Sequence, residues 1–386
     1  MKLFHAEIYD ARVMAFRKGS LTLDPATGKI TSVNYGDESG AQEANDVDMQ
    51  GALLAPGLVD VHTHGRNGFD FNTATSDQMR EMAKGYLAHG VTTVMPTLAS
   101  APMEKLAESS EDIVRLKKEG SGSARFAGVH LEGRYLNPSK RGAHAPEFLV
   151  KPTGEEIANL LPHMSTPCHI SAALELDEDG SFMDTALKAG ATLGLAHTAS
   201  TCAQAMDIYR RGHVSFTHTY NCMTPLHHRE GGTVCAALLT DAYAELICDG
   251  MHICPDVVAM TYKVKGSERL VLITDSMEAT GCGDGHYNIA GMPVVVKNGK
   301  ALTLEGNLAG STLELCDGLR NLMQFAGISL EKALPCATIN PARMIGVDGL
   351  CGSLEEGKYA DILVLKKSDK NGFTMESIYL GGQKIQ

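Results

Sequence analysis

Apolar and polar positions along this chain follow two different rhythms. Near both ends the period is two. LFHAEIYDARV, LTLDPATGKITSVNYG and VDMQGALL at the start, and YADILVLKK and MESIYLGGQKI at the finish, place apolar residues at alternate positions, as half-buried strands do. DPATGK carries Pro and Gly where a tight turn wants them, and KSDKNG is a polar turn. In between the rhythm changes. SDQMREMAKGYLAHG has a helical apolar stripe, with Ser76 as its N-cap and Gly90 past its end. VTTVMPTL then reads as a buried parallel strand. SFMDTALKAG leads to ATLGLAH, and STCAQAMDIYRRG leads to HVSFTH, each helix closing on Gly before a strand begins. CHISAALEL, AELICDG and RLVLITD supply further strands, and residues 312–326 and 329–338 read as helices. Helix and strand alternating in this way predict parallel strands joined by crossover helices.

Five of the strand-like runs end in a residue type that binds metals. They are LLAPGLVDVHTHG (His62, His64), ARFAGVHLEG (Glu132), ATLGLAHT (His197), VSFTHTYN (His218) and LVLITDS (Asp275). From His62 to Asp275 is 213 residues. A strand with its crossover helix takes roughly 30 residues, so this span holds about seven units. The gaps of 70, 65, 21 and 57 residues place the ligands on strands one, three, five, six and eight of an eight-stranded barrel. Chemistry in such barrels sits at the C-terminal strand ends, where residues distant in sequence meet. The expected fold is therefore α/β: a (β/α)8 TIM-like barrel over 54–345, with a small β-sandwich domain built from both termini (1–53 and 346–386). Closely placed termini suit such an insertion.

Composition narrows the partners. Net charge is −12, which argues against nucleic acid, whose binding needs basic surface; a local positive pocket would still suffice for a phosphorylated small molecule. There is no Trp to form a stacking platform for bases. No run approaches the roughly 18 apolar residues of a membrane span, and MKLFHAEIYDARV lacks the order of a signal peptide. A cytoplasmic protein is expected. Ten cysteines without a CxxC pair read mostly as small buried hydrophobes in a reducing compartment.

The residue types fit metal-assisted hydrolysis. His62 and His64 lie two apart on a strand and so face one way. Asp60, on the same alternation, is either a partner that orients a ligand histidine or a turn residue. Glu132 could bridge two cations; a lone Glu at a strand end is more often solvated. Glu175 in CHISAALEL is a rival, and no lysine is available there. His197 and His218 each follow a buried strand, where an imidazole needs a partner. Asp275 at the last strand could carry a proton from water to a leaving nitrogen, or simply cap the next segment.

PGLVDVHTHG, HLEGRYLNPSKRGAH, THTYNCMTPLHHRE, DGMH, TDSMEATG, LAGST and NPARMIGV with GSLEEGKYADILVL together resemble the amidohydrolase superfamily. Within it they are similar to the N-acetylglucosamine-6-phosphate deacetylase family, from about residue 50 to the end. The resemblance implies hydrolysis of the N-acetyl group to an amino sugar phosphate and acetate. It implies Glu132, His197 and His218 as ligands of the main metal, Zn²⁺ or alternatively Fe²⁺, and His62 with His64 as holders of a second ion in members that keep this pair. One or two ions per subunit are thus expected. Asp275 would be the catalytic acid and base, and His144 or His252 would help stabilise the developing oxyanion. Asn221, the backbone at Cys222, His252, His144 and a backbone contact at Leu308 would meet substrate. Arg229 would pair with the phosphate from the neighbouring subunit of a homodimer, its fork of donors matching that group. The family usually reads HLEGP; here Arg134 replaces the proline, which frees φ and adds a cation to the loop over the substrate. Alternatives are an N-acetylgalactosamine 6-phosphate deacetylase, another amide or cyclic-imide hydrolase, and a non-catalytic metal-binding or sugar-phosphate sensor.

Overall fold

The computed structural model describes residues 1–36, 43–368 and 372–385. Eight parallel strands run around a barrel: Leu58–Thr63, Val91–Leu98, Val129–Glu132, Cys168–Ala172, Thr192–Leu195, Ser215–Phe216, Ala244–Ile247 and Leu270–Ile273. Each pairs with the next in sequence order. The first and last meet through a parallel bridge between Thr63 and Ser276. Three hydrogen bonds reinforce that seam: Asp275 N–H to the His62 carbonyl at 2.9 Å, His64 N–H to the Ser276 carbonyl at 2.7 Å, and Thr274 Oγ1 to Asp60 Oδ2 at 2.6 Å. Asp60 accordingly ties two strands together and does not orient an imidazole.

Alternation decides what faces inward. Val59 and Val61 share a core cluster with Ala342, Met344 and Ile345 of the last helices. Asp60 and His62, one position along, therefore point into the barrel. The second strand, VTTVMPTL, is buried throughout.

Helix ends differ from the sequence expectation at two places. The helix Ser76–Ala88 is capped by Thr75, not Ser76: the Thr75 hydroxyl accepts from the Gln78 N–H and the Gln78 side chain answers in a capping box. The helix Cys202–Gly212 runs through its glycine, and His213 takes the left-handed position at φ 47°. CHISAALEL is also shorter as a strand than expected: it stops at Ala172, and Leu174–Leu176 form a 3₁₀ turn. The expected helix 329–338 is a short turn of α-helix, Leu330–Ala333, continued by 3₁₀.

Both termini feed one sheet. Ile362–Ser368 pairs antiparallel with Leu53–Pro56, which pairs with Lys2–Asp10, and Ala15–Asp24 and Lys29–Tyr35 follow. VDMQGALL splits into Val47–Asp48 and the start of Leu53–Pro56 around a turn. Part of the KSDKNG turn, 369–371, lies outside the described residues. One element has no counterpart in the sequence reading: a three-stranded antiparallel sheet, Gly285–Ile289, Met292–Lys297 and Lys300–Thr303, after the eighth barrel strand. Its second turn is Asn298-Gly299, both at positive φ, a hairpin signal present in the sequence. Among the described residues no helix is long and apolar enough to cross a membrane. Five of the ten cysteines are buried, fewer than expected.

Candidate metal centre

The strand ends bring His62, His64, Glu132, His197, His218 and Asp275 to one point. All six are nearly fully buried. His197, His218 and Asp275 each sit two residues beyond their strands, with φ of 43°, 30° and 48°. Side chains with a Cβ rarely adopt that region, and such strain persists where a site over-determines it. The backbone kink turns each side chain from the strand line into the mouth.

Glu132 lies at the centre and its two oxygens face different partners. Oε1 is 2.8 Å from His218 Nε2 and 3.3 Å from His197 Nε2. Oε2 is 3.0 Å from His64 Nε2 and 3.3 Å from His62 Nε2. Asp275 Oδ1 closes the second side, 3.3 Å from His64 and 3.5 Å from His62. The two imidazole nitrogens within each pair stand 3.1 Å (His197, His218) and 3.4 Å (His62, His64) apart. Four ligands at metal distances of about 2.0–2.1 Å in a tetrahedron have edges of about 3.3 Å. Imidazole nitrogens and carboxylate oxygens crowded at that spacing, shielded from water, form a donor set fit for borderline divalent cations such as Zn²⁺ or Fe²⁺.

The charges respond to one another. Burial pushes the Glu132 carboxyl up, but the surrounding imidazoles, His62 foremost, hold it well below the usual range. Asp275 behaves alike: burial raises it, the attraction of His62 and His64 wins, and it rests at about 2. Conversely, His62 is lifted well above its ordinary value and His64 to about 9: the carboxylates outweigh burial. Without a cation, protons balance these carboxylates.

Above the cluster is a cleft of about 470 Å³. Of the expected substrate residues, His144, Asn221, Cys222, His252 and Leu308 line it. The His144 Nδ1 faces both the N–H and the hydroxyl of Ser100. An N–H can only donate, so this nitrogen accepts and the ring proton sits on Nε2, 3.7 Å from Glu132. Burial pushes His144 down to about 4, keeping it neutral. A ring nitrogen of His144 lies within 4.8 Å of ligand atoms on Glu132 and His197, but with its proton on Nε2 the ring faces them as a donor. His252 gives its Nδ1–H to Asp249 at 2.7 Å. Lys140 and Arg141 line the same cleft, two cations the sequence reading passed over.

Arg229 is exposed, beside His228, and does not line the cleft of its own chain. Two other readings change. Glu175 accepts from Asn137, Thr198 and the Ala199 N–H; it braces loops and offers nothing to a cation. Arg134 has φ 64°, which proline cannot reach, and its guanidinium binds the Ala101 carbonyl and Glu156. It anchors the base of the loop and adds no charge to the cleft lining.

Sequence reasoning also missed a polar layer beneath the centre. His130, His169 and Glu245 are fully buried within strands three, four and seven. His130 packs edge-on against His62 with ring centres 4.6 Å apart. The signal was available: His130 lies two residues before Glu132 and so shares its face.

Residues 53–384 match the amidohydrolase family. The chain belongs to that family. Among curated relatives, it is 34% identical over 335 residues to the N-acetylgalactosamine-6-phosphate deacetylase of Escherichia coli O157:H7, covering 86% of this chain and 87% of the relative. It is 31% identical over 364 residues to the N-acetylglucosamine-6-phosphate deacetylase of Vibrio furnissii, covering 93% and 88%. A solved mutant of N-acetyl-D-glucosamine-6-phosphate deacetylase from Mycobacterium smegmatis, in complex with N-acetyl-D-glucosamine-6-phosphate, superposes with a TM-score of 0.89 at 28% identity, covering 100% and 98%. The amidohydrolase fold thus matches the observed barrel and terminal sheet over the whole chain.

Proposed function

We infer that this amidohydrolase is an N-acetylglucosamine-6-phosphate deacetylase, a metal-dependent enzyme that hydrolyses the N-acetyl group to give glucosamine 6-phosphate and acetate. The observation that carries the chemistry is Glu132 shared between two pairs of imidazoles, with Asp275 beside one of them. The likeness to the Vibrio furnissii and Mycobacterium smegmatis deacetylases across nearly the full length supports the substrate. Lys140 and Arg141 provide local positive charge in an otherwise acidic protein, as a phosphorylated sugar requires.

In this reading Glu132, His197 and His218 hold the main cation, and His62 and His64 with Asp275 make room for a second. Zn²⁺ suits the donors best. A bound cation supplies Lewis acidity and lets water act as a nucleophile near neutral pH. Asp275, ionised at neutral pH, takes the proton from the attacking water and returns it to the nitrogen as acetate departs. His144, neutral with its proton on Nε2, donates to the amide oxygen as negative charge develops there. His252, held by Asp249, turns its remaining nitrogen to the sugar hydroxyls. Asn221, the Cys222 main chain and Leu308 seat the sugar. Arg229 serves the phosphate of a neighbouring subunit's cleft in a homodimer. The barrel 54–345 acts as the catalytic unit, the termini 1–53 and 346–386 form the small domain, and the enzyme works in the cytoplasm.

Acetate release from N-acetylated sugars, with and without a 6-phosphate, tests the reaction. Turnover should be far faster with the phosphate than without it, favour the gluco over the galacto epimer and vanish on chelation. Arg229→Ala should raise KM for the phosphorylated sugar and leave an unphosphorylated one unchanged. No acetate from any phosphorylated sugar would end this reading.

A further inference from the structure

Glu245 is an acid in the middle of a buried strand, with no exposed surface. A carboxylate in such a place is costly unless donors satisfy it. Ser215 Oγ donates to Oε1 at 2.9 Å. Oε2 has no hydrogen-bond partner, and neither has the nearby His62 Nδ1 or His169 Nε2. Two of these unsatisfied atoms face each other, His62 Nδ1 3.7 Å from Oε2, and the third, His169 Nε2, lies 3.8 Å from the Oε1 that Ser215 already serves. Among the described residues, these two imidazoles are the basic groups within 4.0 Å of the Glu245 carboxylate.

The two rings are not equivalent. Thr192 Oγ1 gives its proton to the Cys168 carbonyl at 3.4 Å. It therefore accepts from His169 Nδ1 at 2.9 Å. That places the His169 proton on Nδ1 and leaves a lone pair on the nitrogen facing Glu245. His62 is the ring left to offer Glu245 an N–H. A proton on His62 Nδ1 leaves the lone pair on Nε2, which faces Glu132 and Asp275.

We propose that Glu245 is a positioning residue for the metal centre: from across the barrel it holds His62 as the Nδ1–H tautomer, so that Nε2 is presented to the cation on the His62–His64 side. This rests on the ligand reading given above. A carboxylate behind a ligand imidazole fixes its orientation and raises its basicity, and losing such a partner lowers metal affinity about 10–100-fold.

The test compares wild type, Glu245→Gln and His62→Ala. Each is stripped with chelator, titrated with Zn²⁺ against a chromophoric competitor, and analysed for bound metal. Wild type should hold two ions. Glu245→Gln should weaken one of them by about 10–100-fold and leave the other unchanged, and His62→Ala should lose the same ion. If His62→Ala loses an ion while Glu245→Gln binds as wild type, the role of Glu245 is refuted and the ligand reading stands. If neither substitution changes binding, the ligand reading fails and the proposal falls with it. A second measurement needs no folded variant at position 245. In Zn²⁺-loaded wild type, ¹⁵N-resolved spectra of the imidazoles, with His62 assigned by loss of its signal in His62→Ala, should show the proton on Nδ1. A proton on Nε2 would overturn the proposal.

Discussion

The two sides of Glu132 are built differently. On the Oε1 side, His197 and His218 come from neighbouring strands, each kinked into the mouth by a left-handed backbone. The His197 Nδ1 is held at 2.8 Å by the carbonyl of Lys140, from the loop over the cleft. On the Oε2 side, His62 and His64 come from alternate positions of one strand, and Asp275 reaches across from the closing seam. Neither His62 nor His64 has a hydrogen bond at Nδ1, and on the first side His218 has none either. His197 is thus fixed by the loop, whereas the second side relies on charge: His62 on Glu245, and both rings on Asp275. The difference separates holding a cation from moving a proton, since Asp275 belongs to the second side only.

The comparison can be broken first at its shared member. Glu132→Gln should remove the anchor of both sides, so that metal analysis finds neither ion and acetate release falls below detection. Asp275→Asn should be nearly as damaging but selective: kcat falls by about 10²–10⁴-fold, the usual range for a lost acid–base group. Metal analysis should still find the Oε1-side ion in place. His62→Ala should cost one ion and spare the other, with a smaller loss of turnover.

Acidity sharpens the contrast. His64 is raised from 6.5 to about 9 by Asp275 and Glu132, which together overcome burial. Its protonated form therefore stabilises the metal-free fold fully below about pH 6.5, the unfolded value, and that contribution is lost as pH rises through about 9. Thermal unfolding of chelated protein should show Tm falling between those values, while the Zn²⁺-loaded protein, its imidazoles already deprotonated by the cation, should not. The smallest effect belongs to the seam. Thr274→Val leaves one oxygen of buried Asp60 without its hydroxyl donor and should cost about 1–3 kcal/mol by denaturant unfolding, with metal content unchanged.

Much of this was legible in the chain. His62 and His64 could be read from strand alternation, and Glu132, His197, His218 and Asp275 from where apolar runs end. Their order alone suggested a closed barrel, because only closure brings strands one and eight together. Glu175 misled because CHISAALEL reads as one apolar run; nothing local marks Ala172 as the last paired residue. Glu245 and His169 were invisible for the opposite reason. A strand inside a barrel is read as apolar on both faces, yet this interior carries a polar layer beneath the metal ligands. Arg134 shows a different limit. A residue type announces a charge, but only the backbone decides where it goes, here to Glu156.

Anomalous diffraction at the zinc edge, from crystals of the loaded protein, would place the cation directly. The strongest peak should lie among Glu132 Oε1, His197 Nε2 and His218 Nε2, at about 2.0–2.2 Å from each. A fully active preparation with no peak there, or with its zinc bound elsewhere, would contradict the assignment of these residues.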